Sequence, residues 1–206
     1  MKYNKKWFSI IEVLIWIFIF SLGMVWIFAI ISSILRINDY NENYIIASNL
    51  ANEELELVRN IRDSNYSALK PYNLLNPNWN SYLDIDKFEI GQKYIVENDY
   101  SSLSNFPIKV KKIINLEEWK DKLNNEMLDY NLCLDSLNRY TYNCTNLWNK
   151  KTFFYRYISI EPVKYKEWWI TKIIDDSFLI KVKVIWYKKG YHQFELKSII
   201  ADWKRL

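Results

Sequence analysis

The first strong signal along the chain is a run from Phe8 to Leu35 in which only Ser9, Glu12, Ser21, Ser32 and Ser33 are clearly polar. As a helix these 28 residues would rise about 42 Å, more than a hydrocarbon core of about 30 Å. From Ser32 to Arg62 the pattern changes. Ile46, Leu50, Leu57, Val58 and Ile61 recur near a 3.6-residue spacing with Ala47 and Ala51 among them, and Asn49, Asn52, Glu53, Glu56 and Asn60 fall mainly on the other side. No Pro or Gly lies between Met24 and Lys70. The pattern predicts one helix from Phe8 to about Asp63, apolar all round at first and amphipathic afterwards, with its later charges on a solvated face.

Beyond the helix the period shifts toward two. Pro71 to Asn80 is turn-rich and opens a head. Phe88–Val96 and Phe106–Leu116 read as strands, and Glu117–Asp129 as a short helix or loop. Leu132 to Asn149 is polar and aromatic, with Cys133 and Cys144 bracketing a predicted hairpin. Phe153 to Ile160 is aromatic and β-branched, hence strand-like. Leu179 to Tyr187 alternates, with Ile180, Val182, Val184 and Trp186 on one side and Lys181, Lys183 and Ile185 on the other. A turn at Lys188-Lys189-Gly190-Tyr191 leads to Gln193–Ile199, where Phe194 and Leu196 alternate with Glu195 and Lys197. The expected fold class is α+β: a long N-terminal helix packed on an antiparallel β-sheet head. The expected organisation is residues 1–7 as a leader, 8–35 as a membrane or filament-core helix, 36–66 as its amphipathic continuation and 67–206 as the head.

Charge sets the orientation. The net charge is +4. Lys2, Lys5 and Lys6 precede the apolar run and Glu12 lies inside it, so residues 36–206 are close to neutral and offer no broad basic footprint for nucleic acid. Lysines before the span place the N-terminus in the cytoplasm and the head outside. A secretory signal peptide is the alternative, but its apolar region is about 7–15 residues and ends at a small-residue cleavage site. In an exported head, Cys133 and Cys144 are expected to form a disulfide, two free thiols being the alternative.

Glu12 is a carboxylate inside an apolar run, a position that is costly unless the charge is paired or reaches the interface. A Glu whose side chain extends to the headgroups is the plain alternative. Its surroundings, Lys5-Lys6-Trp7-Phe8-Ser9-Ile10-Ile11-Glu12-Val13-Leu14-Ile15, resemble the N-terminal processing and methylation motif of type IV pilins and type II secretion pseudopilins. That motif has a basic leader, a Gly, a Phe and a Glu four residues after the Phe. The resemblance implies cleavage between Trp7 and Phe8 by a prepilin peptidase and methylation of the new Phe8 amine. It also implies a filament-core pairing of Glu12 with the Phe8 amine of a neighbouring subunit, which would enforce register more than it adds stability. Ala51-Asn52-Glu53-Glu54-Leu55-Glu56-Leu57-Val58-Arg59 is similar to a run that often follows this helix in a pilin-like subgroup. The ending Val184-Ile185-Trp186 to Asp202-Trp203-Lys204 resembles the C-terminal hairpin of PilV-like minor pilins.

One position departs from the motif: Trp7 stands where the family has Gly. Composition bears on it. The chain has 10 Trp and only 3 Gly, where average usage would give about 14 Gly. Some bacterial lineages read UGA as Gly, and translating such a gene with UGA as Trp yields this imbalance. Trp7, Trp16, Trp26 and Trp79 are therefore expected to be misread glycines, Trp79 because Asn-Gly is favourable turn chemistry. Trp186 and Trp203 are expected to be genuine. A true excess of Trp is the alternative.

No catalytic constellation is present. His192 is the sole histidine, expected as an exposed turn residue, and Asp175-Asp176 are expected in a loop. Asp84 and Asp86 alone are weak grounds for calcium, so no metal, cofactor or enzymatic role is expected. The resemblance implies a structural minor pilin or pseudopilin. Its partners would be other pilin subunits, the prepilin peptidase, an inner-membrane assembly platform and, before assembly, membrane lipid. The alternative is a single-pass anchored protein whose extracytoplasmic head serves binding or adhesion.

Overall fold

The computed structural model describes residues 9–75, 87–98, 108–113, 130–188 and 190–202. Trp7, Phe8, Trp79, Asp84, Asp86, Trp203 and the helix-or-loop expected at Glu117–Asp129 lie outside them. The chain divides into two units, Met1–Ile45 and Ile46–Leu206.

One α-helix, α1, runs from Ile10 to Ser67. Nothing in its sequence interrupts the ladder, and its end is built chemically. The Lys70 amide donates to the Asn65 carbonyl at 2.8 Å and the Leu69 amide to the Tyr66 carbonyl at 3.0 Å. Leu69 takes a positive φ of 56°. This is the bonding pattern of a Schellman cap, and Pro71 follows where a helix cannot continue.

The second unit holds the end of α1 and one antiparallel sheet. Its strands are β1 (Lys93–Asn98), β2 (Ile108–Lys112), β3 (Asn131–Leu134), β4 (Tyr140–Thr141), β5 (Lys150–Glu167), β6 (Ile170–Tyr187) and β7 (Tyr191–Ala201). β5 organises the sheet. One of its edges pairs with β6, which in turn pairs with β7. Its other edge pairs with β3 near Lys150–Tyr155 and with β1 at Ile158–Ser159. β2 extends β1, and β4 closes a hairpin on β3.

The period-two pattern decides which side chains face the helix. On β6, Ile180, Val182, Val184 and Trp186 are buried in one cluster with Ala47, Leu50, Ala51, Leu55, Val58 and Ile61 of α1. The intervening Ile185 joins Tyr130, Tyr155 and Tyr157 in a smaller cluster. On β7, Phe194 and Leu196 pack against the main cluster, opposite Val184 and Val182. The expected α+β fold and the expected face of β6 are both observed.

Three expectations are corrected. Asp175 and Asp176 lie in β6 rather than in a loop. The β5–β6 pairing runs past Pro162 through an irregularity, so both strands exceed their apolar segments. His192 is within β7 opposite Trp186, and its ring stacks on the indole at 5.4 Å rather than standing free in a turn. Third, Glu54 is fully buried, although the charges of this helical stretch were expected to be solvated.

Candidate functional site

The site that the sequence points to is the start of α1. The Ser9 carbonyl accepts the Glu12 amide at 2.9 Å and the Val13 amide at 3.3 Å. Ser9 is thus the N-cap and Glu12 the third helical residue, the order of a capping box. Glu12 is the acidic residue of the first turn, where the helix dipole favours a carboxylate. It is exposed and has no ion-pair partner among the described residues. Its charge is available to a cation outside the described chain.

Downstream of Glu12 the apolar side chains from Val13 to Ile37 surround the helix and are exposed, including Phe18, Phe20, Val25 and Phe28. A monomer in water rarely displays so large an apolar surface. Two polar side chains here bond the carbonyls of the helix itself. Ser21 Oγ donates to the Phe18 carbonyl at 2.8 Å and Arg36 Nε to the Ser32 carbonyl at 3.3 Å. Among the described residues this is the one helix long and apolar enough to cross a membrane.

A second cluster holds the head together. Arg156 occupies β5 on the face that presents Phe154 and Ile158 to α1, and both it and Glu54 are buried. Arg156 Nε lies 2.5 Å from Glu54 Oε2. Its Nη1 donates to the Leu50 carbonyl at 3.0 Å and to Glu53 Oε2 at 3.1 Å. Glu54 Oε1 accepts the Val96 amide at 2.9 Å, and the Tyr142 hydroxyl lies 3.2 Å from Oε2. The carboxylate thereby links α1, β1, β5 and the segment after β4. Burial pushes the Glu54 carboxyl up to about 7, against the opposing pull of the Arg156 guanidinium, the Val96 amide and the Tyr142 hydroxyl. The Glu54 carboxylate in turn helps hold Arg156 charged. With both charged side chains buried, the arrangement fixes how the sheet packs on α1.

The sequence expectations missed this pair, although a signal existed. Glu54 follows Leu50 by four residues and precedes Val58 by four, so it sits on the apolar stripe. Arg156 falls between Phe154 and Ile158 on an alternating strand. Two opposite charges at two core positions point to each other.

Cys133 and Cys144 form the expected disulfide. It pins β3 to the segment after β4, and in the turn between β3 and β4 Asp135 accepts the amides of Leu137 and Arg139 at 2.8 and 2.9 Å. Those bonds hold the Asp135 carboxyl below its ordinary range. Among the described residues no group of three His, Cys, Asp or Glu side chains is placed to hold a metal. No family model, curated protein or solved structure matches the chain.

Proposed function

We propose that this chain is a structural minor pilin or pseudopilin. It is inserted in the membrane as a precursor with its N-terminus in the cytoplasm, cleaved before Phe8, and assembled through α1 into a type IV pilus or a type II secretion-like filament. The observation that carries the reading is Glu12 in the first turn of a helix whose next turns are apolar on every side. Such a helix is soluble in lipid, and it is also suited to a core made of copies of itself. In that core a buried carboxylate requires a partner, and a processed Phe8 amine supplies one.

The amphipathic remainder of α1 supports the reading, because it gives the sheet a rigid rod to pack on. The second reading, an anchored binding or adhesion head, draws on the apolar residues exposed toward the tip of the β5–β6 hairpin, Tyr165, Ile170, Ile173 and Ile174.

Glu12→Val separates the two. A filament subunit carrying it still inserts in the membrane but leaves the sheared filament fraction. An anchored binder is indifferent, and unchanged recovery of the variant in filaments would overturn the assembly role. Immunoblots of membrane and sheared fractions, against the wild-type chain, read the outcome.

A further inference from the structure

We propose that residues 168 and 169 are glycines in the protein as its own cell makes it, encoded by UGA, and that the β5–β6 arm ends in a bare Gly-Gly turn. The inference rests on backbone geometry and composition and is independent of the filament reading.

Glu167 pairs with Ile170, so the loop between β5 and β6 contains only Trp168 and Trp169. Two-residue hairpin connections use turns that demand a positive φ at the first central residue, at both, and so favour Gly, Asn or Asp. Trp168 has φ 58°, and Trp169 is not among the positive-φ residues. That is the φ pattern of a II′ connection, whose first central position belongs to Gly. A Cβ carrying an indole is among the poorest choices there.

The indoles gain nothing in exchange. Trp168 and Trp169 are 92% and 97% exposed, and among the described residues neither ring has a side-chain hydrogen bond or an aromatic partner. Trp186 is the contrast. It is 1% exposed, packs against Phe154 and His192, and fills a place in the core that no glycine would fill. A positive φ alone does not decide the matter, since Leu69 adopts one at the cap of α1. The inference stands on Trp168 at the position that asks for glycine, on Trp169 beside it equally unpacked, and on a chain with 10 Trp and 3 Gly. Carried to codon 7, the same decoding puts a small residue at the processing site.

The test is the peptide mass of the full-length protein isolated from the cells that carry the gene. Tryptic cleavage after Lys166 and Lys172 releases residues 167–172, and cleavage after Lys183 and Lys188 releases residues 184–188 with Trp186 as an internal control. The expected first peptide is lighter than its Trp-Trp form by two Trp-to-Gly steps, with UGA at codons 168 and 169, while the control keeps Trp. UGG at either codon, or a tryptophan mass at either position, overturns the inference. Either result leaves the filament reading standing, and loss of that reading through Glu12→Val leaves this one standing.

Discussion

Replacing Arg156 by Met leaves Glu54 buried between α1 and the sheet with the Val96 amide and the Tyr142 hydroxyl as its remaining donors. The guanidinium at 2.5 Å is its principal counter-charge. Breaking a buried pair from one side costs about 3–5 kcal/mol, because the surviving charge keeps its desolvation penalty without its attraction. Glu54 escapes by taking up a proton. Its folded value is already raised from 4.5 to about 7, and loss of the Arg156 charge raises it further. The penalty of Arg156→Met is therefore largest near pH 8 and smaller near pH 5. Replacing both partners, Glu54→Leu with Arg156→Met, removes the orphan charge and brings stability back to within about 1–2 kcal/mol of wild type. Urea unfolding of the full chain in detergent, followed by near-ultraviolet circular dichroism from the packed aromatic core, reads all four proteins at both pH values. A single-variant cost below about 1 kcal/mol at pH 8 would falsify the claim that this pair is the charged anchor of the head. So would a double variant as unstable as the sum of the singles.

The wild-type chain carries its own pH signature. Because burial raises Glu54 from 4.5 to about 7, the folded state holds its proton more tightly than the unfolded chain. Its contribution is complete below pH 4.5 and is lost as pH rises through 7, a span of about 3 kcal/mol. Glu54→Gln does not titrate, so wild type should lose stability relative to that variant between pH 5 and 8. A relative gain there means the carboxylate is the favoured folded form. Removing the disulfide by Cys133→Ser with Cys144→Ser opens a link spanning 11 positions and should cost about 2–3 kcal/mol in urea unfolding. No change on reduction would show that the reduced hairpin keeps its own closure. Tyr66→Phe removes a hydroxyl placed 3.0 Å from the Ala201 carbonyl and 3.2 Å from Asp202 Oδ1. A loss of about 1 kcal/mol is expected, together with faster amide exchange at the end of β7. Unchanged exchange would place the closure of β7 elsewhere.

Much of this molecule was legible in its residue pattern because the informative signals are local. A long uninterrupted apolar run with an amphipathic sequel specifies α1 through spacing and the absence of Pro. The alternation of Ile180, Val182, Val184 and Trp186 names the buried face of β6 before any partner is known. Glu12 is conspicuous for the same reason, being a charge where its neighbours have none. The length of the β5–β6 arm was not legible, because Pro162 and the flanking lysines break the apolar alternation while main-chain pairing continues without it. Asp175 and Asp176 lie in β6 because that strand continues beyond its apolar stretch, and His192 is placed by the pairing of β7 with β6.

Sequence alone determined α1 and the apolar face of β6, since periodicity is a property of one segment at a time. It also raised the anomaly of 10 Trp against 3 Gly. Only the tertiary structure sorted part of that excess, because a positive φ, a two-residue loop and full exposure at Trp168 are consequences of strand pairing. The burial of Glu54 against Arg156 was likewise decided in three dimensions. Each residue occupies an apolar position of its own segment, but its segment alone does not say which charge it meets. Their attraction exists only when α1 and β5, about a hundred positions apart in the chain, close on one another and exclude water from both.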